Sequence, residues 1–255
     1  MSESIRAVER ALDVLMCFTS QTPELTMTQI SELVGLNKST VHRLLATLEG
    51  KRFVERNPET GVYKLGIRLV QMAFLTMEHN DLRRLAAPFL HSLCDQYHEN
   101  VNLSVLDDTD VVYVDVIESS QRVKLAASSG QRLPAFCTAS GKAILAFVPE
   151  ENIKSILERG MARYTQNTIL SQKAFFENIQ EARERGFALS EQEFEEGINA
   201  IAAPIFNSKS KPIASVSIAG PAFRLTRERM LEIGPDLVAA ANNIARDVEL
   251  AVNLE

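Results

Sequence analysis

The sequence predicts an α+β protein in which a winged helix-turn-helix is joined by a linker helix to a larger domain with a mostly antiparallel sheet. Three observations support this class. Residues 26–66 contain two short helical patterns, a glycine turn and a hairpin pattern; residues 67–80 are apolar around most of a helix; and strand-like runs follow one another after residue 100. We therefore expect units at residues 1–66, 67–80 and 81–255.

The helix-turn-helix prediction depends on two capping patterns. Thr26 precedes Gln29 by three residues, which is the spacing of a capping box, and Gly35 and Asn37 favour the end of one helix and the start of the next. A preceding helix is expected over Ser4–Thr19, and the second helix of the motif over Lys38–Lys51. The apolar positions expected to form the core are Val8, Ala11, Leu12, Leu15, Phe18, Ile30, Leu33, Val34, Val41, Leu44, Leu45 and Leu48.

The other face of the 38–51 helix has the properties that DNA binding requires. Its side chains are small, hydroxylated or basic, which suits a helix that enters the major groove. They are Lys38, Ser39, Thr40, His42 and Arg43.

The hairpin pattern that follows is expected to form the wing, with its turn at residues 57–61. Between residues 38 and 56, five Lys and Arg residues stand against two Glu residues, a local charge of +3 in a chain whose net charge is −6. Two packed helices joined by a glycine turn are also common as plain core, and a winged helix can serve as a protein-interaction module. DNA binding is the favoured interpretation because of the local charge.

Composition limits the remaining possibilities. The first 66 residues hold eight basic and eight acidic side chains, so the net charge of −6 belongs to the rest of the chain, which is not expected to wrap nucleic acid. The three cysteines form no CxxC pair, and no stretch has the pattern of a signal sequence or a membrane span. We expect a cytoplasmic protein with no membrane partner, no metal and no cofactor.

Several segments of the chain resemble one known family. SIRAVERALDVL from Ser4, NKSTVHRLL from Asn37 and YKLG from Tyr63 resemble the IclR-type (isocitrate lyase regulator) transcription factors of bacteria and archaea, and further similarities continue in order along nearly the whole chain. The resemblance implies a regulator of a catabolic operon, such as a repressor, whose DNA binding responds to a small organic acid. It also implies a phosphate contact from Arg10. Thr28, Arg56 and Tyr63 complete the candidate DNA-binding residues.

The resemblance also bears on assembly and on the second half of the chain. It implies that the linker helix 67–80 pairs with its copy in a homodimer or homotetramer, whereas periodicity alone leaves open a helix buried within one subunit. It further implies a GAF-like or profilin-like effector domain. The expected elements are helices over Leu82–Glu99, capped by Asp81, near Glu150–Arg159 and Lys173–Gly186, and over Thr226–Leu254, and strands over Val101–Asp107, Val111–Glu118, Arg122–Ala127 and Ile213–Gly220.

The candidate effector site begins where a helix is predicted to start, at Thr138–Gly141. Small residues there leave backbone N–H groups uncovered at the positive end of a helix, which favours a carboxylate, although an ordinary N-cap is the alternative. The segment ASGK from Ala139 resembles the motif of IclR-like effector domains, whose loop contributes main-chain groups to the pocket.

A second similar segment covers residues 187–206 and continues into the strand beyond it. Related regulators that bind small oxoacids supply an acid, a cysteine and two serines from this region. Here those positions hold Ser190, Ala200, Ser217 and Ala219, and only Ser217 matches, which implies a roomier and less polar cavity suited to an aromatic or sugar-derived acid. The expected effector-binding residues are Cys137, Ala139, Ser140, Ser190, Asn199, Ala200, Ser217 and Ala219.

An enzyme with an accessory helix-turn-helix is the main alternative function. Nucleophilic catalysis by serine or cysteine requires a histidine in the same pocket. The four histidines, His42, His79, His91 and His98, all lie outside the candidate loops, and the sequence has no phosphate-binding loop or paired-metal motif. We therefore predict no catalytic residues. Glu191, Glu193, Glu195 and Glu196 are expected mostly to form a solvated acidic face, and the family resemblance implies a structural role for Glu193.

Overall fold

The computed structural model describes residues 5–19, 21–78 and 81–252, and the chain divides into two compact units, Met1–Asn80 and Asp81–Glu255. Ser4, residues 79–80 and residues 253–254, which belong to predicted helices, lie outside the described residues, as does the side chain of Asp81. Among the described residues, no helix combines the length and apolarity needed to cross a membrane.

The first unit is a helical bundle with a small sheet. Its elements are α1 (Arg6–Met16), β1 (Glu24–Leu25), α2 (Met27–Val34), α3 (Lys38–Gly50), β2 (Val54–Arg56), β3 (Tyr63–Leu65) and α4 (Ile67–Glu78). Strand β3 lies between β1 and β2 and is antiparallel to both. The winged helix-turn-helix is thus confirmed, with one short strand, β1, that the sequence did not predict.

The predicted caps explain where α2 and α3 begin. The Thr26 backbone N–H donates to Gln29 Oε1 at 2.8 Å, and the Gln29 N–H donates to Thr26 Oγ1 at 3.3 Å, which completes the capping box. Gly35 ends α2 with a φ of 63°, a left-handed conformation that glycine adopts without strain. Asn37 Oδ1 accepts a hydrogen bond from the Thr40 N–H at 2.9 Å and so caps α3.

Three of the predicted core positions in α1 and α2 are exposed instead. In α1, Val14 is fully buried, whereas Val8 and Leu12 are 54% and 52% exposed. Val8 and Leu12 only line an open groove between α1 and α3, because Val14 fills the space that faces the bundle. In α2, Ile30 and Val34 pack inward and Leu33 is 62% exposed, so its predicted core position is wrong.

The second unit has one six-stranded antiparallel sheet with the strand order β6-β5-β4-β9-β8-β7. The elements, in chain order, are α5 (Asp81–Tyr97), β4 (Asn100–Asp107), β5 (Asp110–Ile117), β6 (Arg132–Pro134), α6 (Ala139–Leu145), α7 (Glu150–Glu158), α8 (Gln172–Arg185), β7 (Ala188–Glu191), β8 (Ile198–Phe206), β9 (Pro212–Pro221) and α9 (Arg227–Val252). The predicted α+β class is confirmed.

The two faces of this sheet differ in side-chain size. One face carries large apolar residues such as Leu103, Ile201 and Ile218 and packs against α5 and α9. The opposite face carries mainly alanine, serine and asparagine along β4, β8 and β9, and α6 packs on it. Because adjacent residues of a strand point to opposite faces, the alternation in sequence produces both surfaces.

The predicted strand Arg122–Ala127 is wrong, because residues 122–127 form an irregular strap. Side chains from distant parts of the sequence bind carbonyl groups of this strap in place of a neighbouring strand. Asn100 Nδ2 donates to the Leu125 carbonyl at 2.8 Å, and Arg224 Nη2 donates to the Val123 carbonyl at 2.7 Å. The strand that pairs with β5 is instead β6. The strap therefore follows the sheet without joining its hydrogen-bond ladder.

Candidate functional site

The first unit presents the predicted polar face of α3 at its surface. Lys38, Ser39, His42 and Arg43 are exposed and Thr40 is half-buried, while Val41, Leu45 and Leu48 of the same helix are buried. Thr28 on α2 and Arg56 on β2 are exposed as well. The burial of one face fixes the helix so that its hydroxylated and basic side chains face outward.

Arg10 lies beside this face. It is half-buried and lines the groove between α1 and α3. Thr40, Arg43 and Thr47 line the same groove, and its other lining residues are apolar. Two guanidinium groups on one groove add to the positive potential at the N-terminal half of α3, where a helix would meet phosphate groups.

Tyr63 departs from the prediction of a DNA contact. Only 5% of its surface is exposed, because its ring belongs to the core of the first unit with Val54 and Leu25. The Arg56 guanidinium lies 5.8 Å from the centre of the Tyr63 ring. Tyr63 thus holds the wing and supports Arg56 rather than presenting its own surface.

The second unit contains a cavity whose floor is the small-residue face of the sheet. In register across β7, β8, β9 and β4, Ser190 lies opposite Ala200, Ala200 opposite Ala219, and Ala219 opposite Asn100. Because these side chains are short, space remains above the sheet. The space that the centres of water molecules can occupy in the cavity is about 60 Å³, which is room for a few waters or a small ligand.

Six of the eight predicted effector residues line this cavity, namely Ala139, Ser140, Ser190, Ala200, Ser217 and Ala219. Cys137 and Asn199 do not line it. Asn199 is next to Ala200 in β8 and so points to the opposite face, where its Nδ2 donates to the Leu225 carbonyl at 2.9 Å. Cys137 is fully buried in the core beside α6, and burial, with a smaller effect of Glu193, raises the pKa of its thiol to about 12.

The rest of the lining comes partly from the two segments assigned to the site and partly from elements that the sequence did not assign to it. The strap contributes Leu125 and its two alanines, and the loop between β7 and β8 contributes Phe194 and Glu195. The full set of additional lining residues is Tyr113, Leu125, Ala126, Ala127, Gln131, Leu133, Thr138, Phe194, Glu195 and Ile198. No histidine is among the lining residues of this cavity, and the signal in the sequence for Phe194 and Glu195 is that they belong to the similar segment 187–206.

The hydroxyl groups in and beside the cavity form hydrogen bonds with neighbouring atoms. Ser190 Oγ donates to the Cys137 carbonyl at 3.2 Å, and Asn102 Nδ2 donates to Ser217 Oγ at 3.4 Å. The Ser104 and Ser140 hydroxyls are 3.3 Å apart. Thr138, rather than Ser140, caps α6 by accepting from the Gly141 N–H at 3.3 Å. The Ser140 hydroxyl is therefore not used to cap α6.

Tyr113 adds a hydroxyl donor to the cavity. Burial raises the pKa of Tyr113 to about 12, and the nearby Glu195 carboxylate acts in the same direction. The Tyr113 hydroxyl therefore keeps its proton at neutral pH and can donate a hydrogen bond to a ligand.

A buried ion pair joins two walls of the cavity. Lys142 of α6 has no exposed surface, Glu193 is 6% exposed, and Lys142 Nζ lies 2.5 Å from Glu193 Oε1. Burial raises the pKa of the Glu193 carboxyl, and the Lys142 ammonium opposes that rise. Thr168 Oγ1 also donates to the Glu193 carbonyl at 2.7 Å. The pair thus fixes the loop that carries Phe194 and Glu195, which agrees with the structural role expected for Glu193.

Comparison with known proteins shows two family matches that together cover most of the chain. The IclR helix-turn-helix domain matches residues 7–58, and the bacterial transcriptional regulator IclR C-terminal domain matches residues 74–246. The HTH-type transcriptional regulator XynR of Escherichia coli is 36% identical over 216 residues, covering 84% of this chain and 86% of that regulator. The transcriptional repressor IclR of the same bacterium is 29% identical over 243 residues, covering 94% and 89%.

Solved structures show the same similarity in three dimensions. An IclR-type regulator from Alicyclobacillus acidocaldarius has a TM-score of 0.86 at 29% identity, covering 96% of this chain and 99% of its own. An IclR homologue from Microbacterium hydrocarbonoxydans, crystallised as a complex with 4-hydroxybenzoate, has a TM-score of 0.85 at 25% identity, with coverage of 96% and 99%.

Proposed function

We infer that this chain, which belongs to the IclR family of DNA-binding transcriptional regulators, binds its operator through the exposed face of α3. The chain is a regulator and not an enzyme, because the relatives that it matches are transcriptional regulators and repressors. The observation that carries the inference about α3 is its outward row of Lys38, Ser39, His42 and Arg43 beside Arg10. Thr28 and Arg56 extend this face to α2 and the wing.

Substitution of Arg43 by alanine tests the DNA-binding face. We expect Arg43→Ala to weaken binding to DNA that flanks the protein's own gene by about tenfold or more, because a base or phosphate contact is lost. Arg246→Ala, which removes an exposed arginine of α9, is the matched control and leaves binding unchanged. The measurement is a titration of labelled DNA at several salt concentrations. Unchanged specific binding by Arg43→Ala would favour a protein-interaction role for the winged helix.

We propose that residues 81–255 bind an organic acid in the cavity and that the acid controls DNA binding by residues 1–66 through the linker segment 67–80, which contains α4. The cavity combines an apolar lining with hydroxyl donors, which suits a carboxylate on an apolar body. The complex of a relative with 4-hydroxybenzoate supports an aromatic acid as the first probe. An effector shifts DNA occupancy only if it binds the DNA-competent and incompetent states with different affinities.

The effector proposal is tested by calorimetry and DNA binding with the same acids. We expect 4-hydroxybenzoate to bind the full chain more tightly than glyoxylate and to change its affinity for operator DNA. Ser217→Ala is expected to weaken the binding of the acid while leaving DNA binding without effector intact. A preference for two-carbon oxoacids would contradict the assignment of a larger acid.

We also propose a cytoplasmic homodimer that acts as a repressor of a catabolic operon and pairs into tetramers. The support for self-association is the apolar surface of the linker region, where Leu65, Ile67 and Val70 are each more than 40% exposed. Two copies of α3 in one dimer would contact two half-sites of an operator. Repression is supported by the names of the relatives and is tested by reporter expression with and without the gene.

A further inference from the structure

Two consecutive residues, Arg52 and Phe53, are attached to the end of α3 by backbone hydrogen bonds. The Arg52 N–H donates to the Glu49 carbonyl at 2.9 Å. The Phe53 N–H donates to the Leu48 carbonyl, also at 2.9 Å, and the Phe53 side chain packs against the core cluster that contains Leu48. Because both N–H groups bind carbonyl groups in the last turn of α3, this helix fixes the orientation of the dipeptide.

The carbonyl groups of the same dipeptide bind the start of α4. The Phe53 carbonyl accepts from the Gly66 N–H at 2.8 Å, and the Arg52 carbonyl accepts from the Arg68 N–H at 3.1 Å. The first N–H groups of a helix have no partner within the helix, so the dipeptide supplies partners that α4 needs. Four backbone hydrogen bonds thus connect the last turn of α3 to the first turn of α4 through two residues.

Gly66 allows the close approach of backbone to backbone at this connection. A Cβ atom at position 66 would lie 2.3 Å from the Arg52 carbonyl oxygen and 3.0 Å from the Phe53 carbonyl carbon. Arg52 has a φ of 62°, a left-handed conformation that a residue with a side chain keeps only where its surroundings fix it. Both observations indicate a connection with little room for movement.

The side chains of α4 that follow Gly66 are largely exposed. Ile67 and Val70 are 48% and 47% exposed, and Arg68 is exposed as well. The direction in which α4 leaves α3 is therefore set mainly by the backbone connection at its start. Because α4 belongs to the segment that we propose to pair with its copy, this connection would also set the position of α3 within a dimer.

We propose that residues 52–53 and Gly66 form a rigid joint between α3 and α4, and that this joint determines which half-site spacing the operator must have. The inference rests on the proposed binding of DNA by α3 and on the proposed dimer. If two copies of α4 pair and each is fixed to its own α3, the two copies of α3 lie at one distance and one angle. The residues of the joint are positioning residues, because they act on DNA through α3.

Operators with altered half-site spacing test the proposal. Footprinting on DNA that flanks the protein's own gene locates the half-sites, and up to about five base pairs are then inserted between them. Five base pairs turn one half-site to the opposite face of the duplex, because one helical turn has about 10 base pairs. We expect the full-length wild-type protein to lose about a hundredfold in affinity at this insertion, since the second half-site no longer contributes.

Two variants loosen the joint in different ways. Gly66→Ala adds the Cβ atom that meets the Arg52 carbonyl, and a two-glycine insertion after Gly66 separates the Arg68 N–H from that carbonyl without adding a Cβ. In both, we expect weaker binding at the natural spacing, a loss of less than about tenfold on insertion of the base pairs, and unchanged affinity for a single half-site. Gly50→Ala, with nothing within 4 Å of its Cβ, is the matched control and keeps the wild-type profile.

Hydrogen exchange measures the joint without DNA. We expect the amides of residues 66–69 to exchange faster in both loosened variants than in the wild type, while a peptide that contains Leu45 in the core of the first unit keeps its protection. Protection at residues 66–69 that equals the wild type in both variants would contradict the proposed joint.

The DNA results distinguish the joint from the functions on which it rests. Profiles as steep in both loosened variants as in the wild type overturn the joint and leave α3 as the DNA-binding helix. Loss of single half-site binding in both variants also overturns it, because the changes then act on α3 itself. A flat wild-type profile overturns the joint together with the proposed dimer, and a wild-type protein that binds no half-site overturns the proposed DNA-binding face.

Discussion

Lys142 and Glu193 form a buried ion pair in the second unit that is costly to break. Both charges are removed from water, so each depends on the other for compensation. Loss of the lysine leaves a buried carboxylate that must either stay charged without a partner or take up a proton. The loop of Phe194 and Glu195 then loses its attachment to α6.

We expect Lys142→Met to lower the free energy of unfolding by about 3–5 kcal/mol at neutral pH. Burial already raises the pKa of Glu193, and removal of the ammonium raises it further. A carboxyl whose pKa is raised by folding contributes its stability at low pH and loses it as the pH rises through the folded-state pKa. The variant should therefore be less destabilised at acidic pH than at neutral pH, as measured by urea unfolding at both.

The double variant Lys142→Met/Glu193→Leu is the control for this prediction. It removes both charges, so most of the lost stability should return and the added pH dependence should disappear. A double variant as unstable as Lys142→Met would show that packing around Lys142, rather than charge, is responsible.

The residues of the cavity show what a single sequence can and cannot predict. Ser190, Ala200, Ser217 and Ala219, which the family resemblance indicated, line one wall because strand alternation places them on one face. The same rule excludes Asn199, which is adjacent to Ala200 and should not have been included with it. The pairing of Lys142 with Glu193 had no comparable signal, because 51 residues separate them.

At the scale of single elements, the start of α3 depends on the Asn37 cap. Asn37 Oδ1 accepts from the Thr40 N–H and from the Ser39 hydroxyl. We expect Asn37→Ala to cost about 1 kcal/mol of stability and to weaken DNA binding, because the first turn of α3 carries Lys38 and Ser39. The measurements are thermal unfolding and DNA titration.

Asn37→Asp separates capping from DNA contact. Aspartate retains the accepting oxygen and should preserve stability, whereas its charge next to the proposed phosphate contacts should weaken DNA binding. If Asn37→Asp binds DNA with full affinity, the start of α3 does not lie near the phosphates.

The start of α6 is fixed by the absence of a side chain at Gly141. A Cβ atom at this position would lie 2.1 Å from the Ala135 carbonyl oxygen, which no packed structure tolerates. We expect Gly141→Ala to destabilise the protein by about 1–3 kcal/mol and to weaken effector binding, because α6 and its cavity residues must move. Gly50→Ala in α3 is the control, since nothing lies within 4 Å of its Cβ and alanine favours a helix.

Elements with local signals were predicted well and elements with distant partners were not. The caps at Thr26 and Asn37 and the two helices that follow them agree with the structure because capping involves residues three apart. The strap at residues 122–127 has an apolar alternation typical of a strand, but Asn100 and Arg224 bind its carbonyl groups instead. The local sequence pattern does not reveal that side chains distant in sequence bind these carbonyl groups in place of a strand.

At the scale of the whole molecule, the charge distribution agrees with the proposal that the first unit binds DNA and the second binds the effector. The basic residues of the first unit that are proposed to contact DNA lie on α1, α3 and the wing, whereas the excess of acidic side chains belongs to the rest of the chain. We therefore expect DNA affinity to fall steeply with salt, and effector affinity to change far less, because a buried site is screened less than a surface one.

At the scale of the whole molecule, the self-association that we propose would link the two proposed sites. Leu65, Ile67 and Val70 expose apolar surface around the start of α4, and burial against a second copy would remove it from water. We expect Val70→Glu to shift the protein toward monomer, because a pair of like charges would face each other across a two-fold interface. Sedimentation velocity measures this shift.

The same variant connects assembly to function. A monomer carries one copy of α3, so Val70→Glu should lose most of its affinity for a two-half-site operator, while calorimetry with the organic acid remains as in the wild type. Val123→Glu adds the same charge to an exposed apolar position in the second unit and serves as the control. If Val70→Glu remains a dimer with full operator affinity, α4 is not part of the dimer interface. If the wild-type protein is a monomer that binds the whole operator, the proposed dimer is wrong.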